Sequence, residues 1–421
     1  MSSPESSSEQ REIKTPLRSA FIVRSLSQRE GAGGSVLALA QEMAGMGHNI
    51  SVITTADHTN GAAGTVDIVT SNSELKLPHR LQKEIDIRSF LQRLRAASGI
   101  LHFLLWQNNE IQKGHFDITN AATPITLGAD VLTPRSSVWQ EFLPEKNSLS
   151  AEEARRFTQT TYLKNPLFWQ LGLLELWNMR VAHNYKKVIA ISNLHRNQLC
   201  EIFHIPLDDV AIVYNGTDSQ RFHPRNREVL GAQFRNQYGI RKDEIVICFV
   251  GVNFYRKGLD VAIRAFADPS VREKPWRLIV AGKDRPDAFL RLANILGIGN
   301  KIIFTGFRED IENIYAASDF SIFPTRVDPF GKVVPEAMAA GIPVIMSANA
   351  GSSELVTNEY SGLVIPNSDP ASYAKAIELF IQYPQARFWM GENARKAIEP
   401  YTWRRSALQT LEVYREVLQM I

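Results

Sequence analysis

Short apolar runs alternate with longer amphipathic segments along almost the whole chain, and this alternation constrains the fold more than any other feature. The apolar runs are predicted strands at 20–25, 50–55, 116–121, 130–134, 187–192, 210–215, 244–251, 277–282, 301–306, 320–324, 342–347 and 362–366. Strands that are separated by helical stretches run parallel, because each helix carries the chain back across a face of the sheet. The sequence therefore predicts an α/β protein with doubly wound parallel sheets.

The series of predicted strands divides near residue 216, where the polar, turn-rich segment 215–240 interrupts it. We expect two Rossmann-like domains, 17–216 and 217–401, that face each other across a cleft. Ligands of such sheets bind at the carboxyl ends of the strands, so each domain would contribute half of a site. Residues 1–16 are polar and are predicted to form a disordered tail.

The composition limits the classes of function. The chain has 421 residues, 44% of them hydrophobic, and its net charge of +3 gives no indication of a nucleic-acid partner. Cys200 and Cys248 have no partner at metal-ligand spacing, which favours reduced thiols and a cytoplasmic location. Because the sequence lacks a long apolar run and a D-x-D triplet, we expect neither a membrane-spanning helix nor a bound metal. Contact with the inner face of a membrane stays open.

A glycine-rich segment follows the first predicted strand and precedes a helix that is predicted to begin near Ser35. Gly33 and Gly34 would let backbone amides approach a ligand, and the amino end of a helix favours negative charge. A dinucleotide fingerprint requires a third glycine where this chain has Val36, which argues against a NAD site. We predict contact with a phosphate or a sugar, and a turn without a ligand is the alternative.

Two adjacent cations follow the strand predicted at 244–251. Arg256 and Lys257 stand just before Gly258, which opens the next helix, and this position suits the phosphates of a nucleotide. Charge-assisted hydrogen bonds contribute about 1.5–3 kcal/mol each, and arginine can bind two oxygens at once. A solvated basic turn is the alternative.

The loop after the strand predicted at 301–306 begins with Phe307 and Arg308. A nucleobase resting on this loop, recognised by backbone groups, is one interpretation. An ordinary connection from a strand to a helix is the other.

Two carboxylates, Asp328 and Glu336, stand eight positions apart on either side of a Phe-Gly turn. Pro335 is predicted to open the helix that follows, because proline at a first helical position costs no hydrogen bond. Asp328 would then lie in the loop and Glu336 beside the free amides of the first turn. Such a pair can hold a sugar at one end and a ribose at the other, with a phosphate between them.

Together these motifs resemble the retaining family 4 glycosyltransferases, which have the two-domain GT-B fold. The segments that carry the resemblance are GAGGS, VGVNFYRKGLDVAI, AGKDRP, LANILGI, IIFTGF, DPFGKVVPEAMAAGIPVI and the hinge IVYNGTDSQRFHP. The resemblance is strong from about 185 to 400, and its spacing is most like that of the lipopolysaccharide-core glucosyltransferases. It implies transfer of a hexose from a UDP- or GDP-linked donor to an acceptor hydroxyl, with retention and without a cofactor.

The resemblance also implies roles for matching positions. The predicted catalytic set has four residues. Arg256 and Lys257 would bind the donor phosphates, Asp328 would contact the donor sugar, and Glu336 would hold the ribose. The residues expected to line the sugar and the diphosphate are Phe330, Gly331, Lys332, Val333 and, from the other domain, Gly33 and Gly34. The last segment, 402–421, is similar to the terminal helix that crosses back onto the first domain in this family.

Two positions depart from the family's pattern. The carboxylate motif usually opens with Glu, and Asp328 is one methylene shorter, which bears on the choice of donor sugar. Where many members carry a His on the acceptor side, this chain reads LTPRSS, so Arg135 and the nearby Asp130 are the candidates. The acceptor is left open as a glycan, a lipid-linked molecule or a small molecule.

Two alternatives to sugar transfer remain: a sugar-nucleotide epimerase of the same architecture, and a non-catalytic nucleotide-sugar-binding protein. An epimerase would react without an acceptor. Segments 79–106 and 162–187 mix aromatic, aliphatic and basic residues, and packing within the fold is preferred there over contact with a membrane.

Overall fold

The structure is a computed structural model of the 421-residue chain. It describes residues 16–27, 31–59, 61–71, 87–135, 137–139, 166–366 and 368–420. The predicted tail, 1–16, lies outside the described residues except for its last position.

The first half of the chain forms a seven-stranded parallel sheet and a small two-stranded one. The strands are β1 (Arg18–Ile22), β2 (Ser25–Ser27), β3 (Asn49–Thr54), β4 (Ala56–His58), β5 (Asp67–Thr70), β6 (Ile118–Ala121), β7 (Val131–Leu132), β8 (Lys187–Ala190) and β9 (Val210–Ile212). The large sheet has the order β5-β3-β1-β6-β7-β8-β9, and β2 pairs with β4 beside it.

The second half forms a six-stranded parallel sheet. Its strands are β10 (Ile245–Val250), β11 (Trp276–Ala281), β12 (Ile302–Gly306), β13 (Phe320–Phe323), β14 (Val344–Ser347) and β15 (Gly362–Ile365). Their order is β12-β11-β10-β13-β14-β15. Strands β11 and β12 are added on one side of β10 and strands β13 to β15 on the other, so the strand order switches between β10 and β13. Such a switch point is where open α/β sheets bind ligands.

Helices cover both faces of the two sheets. They are α1 (Gly31–Gly45), α2 (Ile87–Gly114), α3 (Pro166–Leu176), α4 (Asn193–Phe203), α5 (Ala232–Gln237), α6 (Leu259–Phe266), α7 (Pro269–Arg272), α8 (Asp287–Ile295), α9 (Ile311–Ala317), α10 (Val333–Ala339), α11 (Pro370–Gln382), α12 (Pro384–Ile398) and α13 (Trp403–Leu418). A π-helical turn, Trp177–Ala182, continues α3. No helix among the described residues is both long and apolar enough to cross a membrane.

Burial on both faces explains why the strands are apolar throughout. Along β10, Val246 and Cys248 belong to one hydrophobic cluster while Ile247 and Phe249 belong to the cluster on the other face. Successive side chains of a strand point to opposite faces, so a strand covered on both sides needs apolar residues at every position. The predicted α/β fold with two Rossmann-like sheets is confirmed.

The terminal helix α13 packs against the first sheet unit, not the second. Leu411 and Tyr414 share a cluster with Phe21 of β1 and Val36 of α1. The predicted boundary near residue 216 falls in the connection between the two sheets, and it stays a prediction.

Candidate functional site

The carboxyl ends of β10 and β13 bring two predicted motifs together. These strands are parallel neighbours, so the loops that follow them, 251–258 and 324–332, lie side by side. The Lys257 ammonium donates a hydrogen bond to the Asp328 carboxylate, and it also lies 5.3 Å from the centroid of the Phe323 ring. The two side chains are 9% and 13% exposed, respectively, so this is a buried ion pair.

The shape of the first loop depends on one glycine. Gly258 has φ of 78°, and a Cβ there would lie 2.0 Å from the Pro324 carbonyl oxygen. Only glycine fits both the left-handed conformation and the close approach of the second loop. The guanidinium of Arg326 joins the second loop to the first turn of α6, donating 2.9 and 2.8 Å hydrogen bonds to the Asp260 carboxylate. The Arg326 amide donates to the Arg256 carbonyl at 2.9 Å.

The Asp328 carboxylate is held ionised. Burial alone would raise its pKa, but the charges of Lys257 and Arg256, with hydrogen bonds from Lys257 and from the Phe330 amide, bring the pKa below its usual value. The Phe330 N–H donates to Asp328 Oδ1 at 3.1 Å. A buried carboxylate with two cations beside it is therefore a fixed negative charge within a positive loop.

The Phe-Gly turn approaches its neighbours closely. Gly331 has φ of 86°, and a Cβ there would lie 2.8 Å from the Phe323 ring and 3.2 Å from the Ser352 hydroxyl. Helix α10 begins at Val333, so Pro335 is its third residue and not its first as predicted. The physical reason is that every amide of the first turn lacks an intrahelical partner, so proline is tolerated beyond the first position.

Glu336 lies on α10 and receives a hydrogen bond from the Tyr315 hydroxyl at 3.0 Å. Burial raises the pKa of Glu336, and the Lys332 charge and the Tyr315 hydrogen bond oppose that rise. Burial likewise lowers the pKa of Lys332, which the Glu336 charge opposes. Glu336 as a whole is half-buried, and hydroxyl groups of a ligand would have to reach a carboxylate that already accepts from Tyr315.

The glycine segment of the first unit is arranged differently from the prediction. Helix α1 begins at Gly31, four residues before the expected start at Ser35, so Gly33 and Gly34 are buried inside its first turns. A Cβ on Gly33 would lie 2.4 Å from the Ser25 carbonyl oxygen of β2. Close packing of α1 on β2 therefore accounts for Gly33, and donor contact by Gly33 and Gly34 stays a prediction.

In the predicted nucleobase loop, the Arg308 side chain already makes contacts within the protein. Arg308 donates to the Asp310 carboxylate at 2.9 Å and to the Tyr238 hydroxyl at 3.1 Å, and its guanidinium lies 5.3 Å from the Phe234 ring. The side chain of Phe307 is 46% exposed at the end of β12. Phe307 is therefore the better placed of the two to meet a base, and both roles stay predictions.

The two acceptor-side candidates lie at opposite ends of β7. Arg135 follows the strand at its carboxyl end and donates a hydrogen bond to Asn215, and burial lowers its pKa to about 10. Asp130 precedes the strand and accepts hydrogen bonds from the Thr119 amide and hydroxyl at 2.9 and 2.8 Å. The predicted strand 130–134 is shorter at both ends, and ligands of such sheets bind at the carboxyl edge. Asp130 lies at the other end, where it ties β7 to β6, and its acceptor-side role stays a prediction.

Sequence reasoning did not predict that a histidine of the first unit lies near Asp328 of the second. His195, on α4 of the first unit, is fully buried, and its Nδ1 accepts the Ile191 amide at 3.1 Å. Burial and the Arg135 charge lower its pKa to about 3, although the Asp328 charge acts in the opposite direction. His195 is thus a neutral packed histidine with Nδ1 as acceptor, and no sequence spacing pointed to its position. Within the described ranges, no group of three or more His, Cys, Asp or Glu side chains is placed to hold a metal ion.

Two protein-family models match adjacent parts of the chain. The model described as Glycosyltransferase Family 4 matches residues 29–221, and the model described as Glycosyl transferases group 1 matches residues 232–397. Residues 222–231, in the connection between the sheets, separate the two matches.

Curated relatives match somewhat more than half of the chain. An uncharacterized glycosyltransferase of Methanocaldococcus jannaschii is 32% identical over 240 residues, 56% of this chain and 61% of the relative. A D-inositol 3-phosphate glycosyltransferase of Saccharomonospora viridis is 30% identical over 251 residues, 57% of each chain. The chain thus matches about three fifths of the length of these relatives.

Solved structures share the fold over nearly the whole chain. WaaG, a glycosyltransferase involved in lipopolysaccharide biosynthesis, superposes with a TM-score of 0.71 at 19% identity, covering 93% of this chain and 99% of WaaG. HepE from Anabaena, in complex with UDP and glucose, gives 0.66 at 17% identity, with 95% and 99% covered. At these identities the comparison shows the architecture alone.

Proposed function

The chain belongs to the family 4 glycosyltransferases, which have the GT-B fold, and on this basis we propose that it transfers a hexose from a nucleotide diphosphate sugar to an acceptor hydroxyl. The proposal includes retention of the anomeric configuration and a role in the synthesis of a glycan, lipopolysaccharide or glycolipid. UDP-glucose is the first donor to test, because HepE has been solved with it.

The observation that carries the proposal is the buried pair of Lys257 and Asp328, with Arg256 beside it, at the switch point of the second sheet. Lysine and arginine there would neutralise a leaving diphosphate electrostatically. Asp328 holds the Lys257 ammonium in place until the donor binds, and its remaining lone pairs suit a sugar hydroxyl. Glu336, one helix turn into α10, would accept the two ribose hydroxyls.

The proposed reaction forms a bond between the acceptor oxygen and the anomeric carbon while the bond from that carbon to the phosphate oxygen breaks. The acceptor proton passes to an oxygen of the leaving diphosphate on the same face of the sugar. Arg256, Lys257 and nearby amides stabilise the charge that develops on the diphosphate. Closure of the two domains would exclude water from the reacting atoms.

Nucleotide release measures the proposed activity directly. UDP-glucose and GDP-mannose are incubated with and without acceptors, including an inositol phosphate, an oligosaccharide and a lipid-linked sugar, and proton NMR reads the anomeric configuration. Release that depends on an acceptor and gives a retained product supports transfer. Conversion of the donor without an acceptor would indicate an epimerase, and binding without turnover a non-catalytic protein.

We also propose peripheral contact with the inner face of a membrane, through an exposed apolar stripe on α3 and on the π-helical turn that continues it. Trp169, Leu173, Trp177 and Val181 are spaced four residues apart, and their exposed fractions are 38%, 60%, 45% and 69%. Contiguous apolar patches of this kind mark protein or membrane contacts. Anionic liposomes should sediment the wild-type protein and leave the Leu173→Ser, Val181→Ser double variant in solution. Equal sedimentation of both proteins would contradict a role for the stripe.

A further inference from the structure

The two halves of the chain touch where α4 meets the segments that follow β13 and β14. Ser192, which caps α4, donates its hydroxyl to the Pro329 carbonyl at 2.8 Å. A Cβ on Gly351 would lie 2.2 Å from that same hydroxyl oxygen, so the backbones are in close contact. The contact therefore rests directly on the turn that follows Asp328.

A single carboxylate of the second unit receives four hydrogen bonds from the first. Glu354 accepts from the backbone amides of Asn193 and Leu194 at 2.9 and 2.7 Å. It also accepts from the Asn193 side-chain amide at 3.0 Å and from the Tyr214 hydroxyl at 2.6 Å. The two backbone amides belong to the first turn of α4, where intrahelical partners are lacking and negative charge is favoured.

The backbone segment of Glu354 is also linked to residues 328–331, the turn that would meet the donor and is called the donor turn below. The Gly351 amide donates to the Asp328 carbonyl at 3.0 Å, and the Ser352 amide donates to the Phe330 carbonyl at 2.7 Å. From the other side, the Tyr214 ring lies 6.5 Å from the Phe330 ring. The residues that join the two units and the residues that shape the donor turn thus form one connected structure.

We propose that Glu354 is a positioning residue that holds the two domains together over the donor turn, and that it thereby couples their closed arrangement to donor binding. The coupling to the donor rests on the proposed function, whereas the effect on the domain arrangement does not. Glu354 is largely exposed to solvent, so its contribution comes from the number and direction of its hydrogen bonds and not from desolvation.

The test measures the distance between the two domains without any ligand. Spin labels are attached to Gln112→Cys on α2 and Arg291→Cys on α8, both exposed positions, in a Cys200→Ser background; Cys248 is buried. We expect Glu354→Gln and Tyr214→Phe to give longer and broader distance distributions than the wild type at an unchanged melting temperature. Gln keeps the size of the side chain, but its NH2 group cannot accept from the α4 amides.

The matched control is Glu392→Gln, an exposed glutamate on α12, which should leave the distribution unchanged. UDP-glucose binding by calorimetry is the second readout, and loss of one charge-assisted contact predicts roughly tenfold weaker binding for Glu354→Gln. A distance distribution for Glu354→Gln that matches the wild type would overturn the proposal. If wild-type protein binds no UDP-glucose, the proposed donor fails, while the distances still decide the role of Glu354.

Discussion

Replacing Lys257 with methionine isolates the charge of the buried pair, because the aliphatic stem stays while the ammonium is lost. The Asp328 carboxylate, 13% exposed, would keep the Phe330 amide as a donor and lose its direct cation. Removing one partner of a buried pair costs about 3–5 kcal/mol, and the nearby Arg256 charge argues for the lower end. A loss of about 3 kcal/mol lowers the melting temperature of a unit of this size by roughly 6–12 °C.

Differential scanning calorimetry of a double-mutant cycle measures this cost. Lys257→Met combined with Asp328→Asn leaves no unpaired charge, so the double variant should be more stable than the sum of the single losses implies. Lys242→Met, at an exposed position, is the matched control. The pair would be refuted as a structural unit if Lys257→Met were as stable as the wild type, or if the stability losses of the two single variants added up to that of the double variant.

The pH dependence of the same pair has a definite sign. The folded pKa of Asp328 is lowered, so its stabilising contribution is present above the unfolded value of about 3.9 and is lost as the pH falls through the folded pKa. Lys257→Met should raise that folded pKa. The difference in stability between the two proteins should therefore shrink in acid, and a constant difference would contradict the assignment.

Three further changes test neighbouring parts of the site. Gly258→Ala should lower the free energy of unfolding, measured by chemical denaturation, more than Gly297→Ala does. Both glycines have positive φ, but a Cβ at position 258 would lie 2.0 Å from a backbone oxygen, whereas a Cβ at position 297 would lie 3.0 Å from a flexible side chain. Equal losses would mean that the close approach is relieved by movement of the loops. In the wild type, donor affinity should fall in acid as Glu336 loses its charge, and this fall should begin above the usual carboxyl range because burial raises the Glu336 pKa. Glu336→Gln should remove this fall in affinity. Phe307→Ala should weaken UDP binding by roughly 5- to 150-fold, because the lost base–aromatic stacking is worth about 1–3 kcal/mol. Unchanged affinity would place the base elsewhere.

The sheets were predictable because their strands are buried on both faces and so are apolar throughout. The short strands β2, β4 and β5 were missed, since edge and satellite strands of three or four residues are partly exposed and carry no continuous apolar run. The start of α1 was misplaced because glycines normally argue against a helix, whereas Gly33 is needed there for contact with β2.

The site was predictable at the level of motifs but not of contacts. The pairing of Lys257 with Asp328 joins positions 71 residues apart, and only the adjacency of β10 and β13 creates it. Arg308 was assigned to a ligand although Asp310, two positions on, competes for it more closely. The bonds from Asn193 to Glu354 span 161 residues and two domains, so no local pattern could reveal them.

Calorimetric titration with UDP-glucose and GDP-mannose tests the central claim most directly. The account predicts that at least one of these donors binds the wild-type protein, and that Arg256→Ala and Glu336→Ala each weaken binding at least about tenfold, the loss expected for one charge-assisted contact. Glu392→Gln should bind like the wild type. Absence of binding to both donors, or equal affinity in all four proteins, would contradict a donor site built on Arg256, Lys257, Asp328 and Glu336.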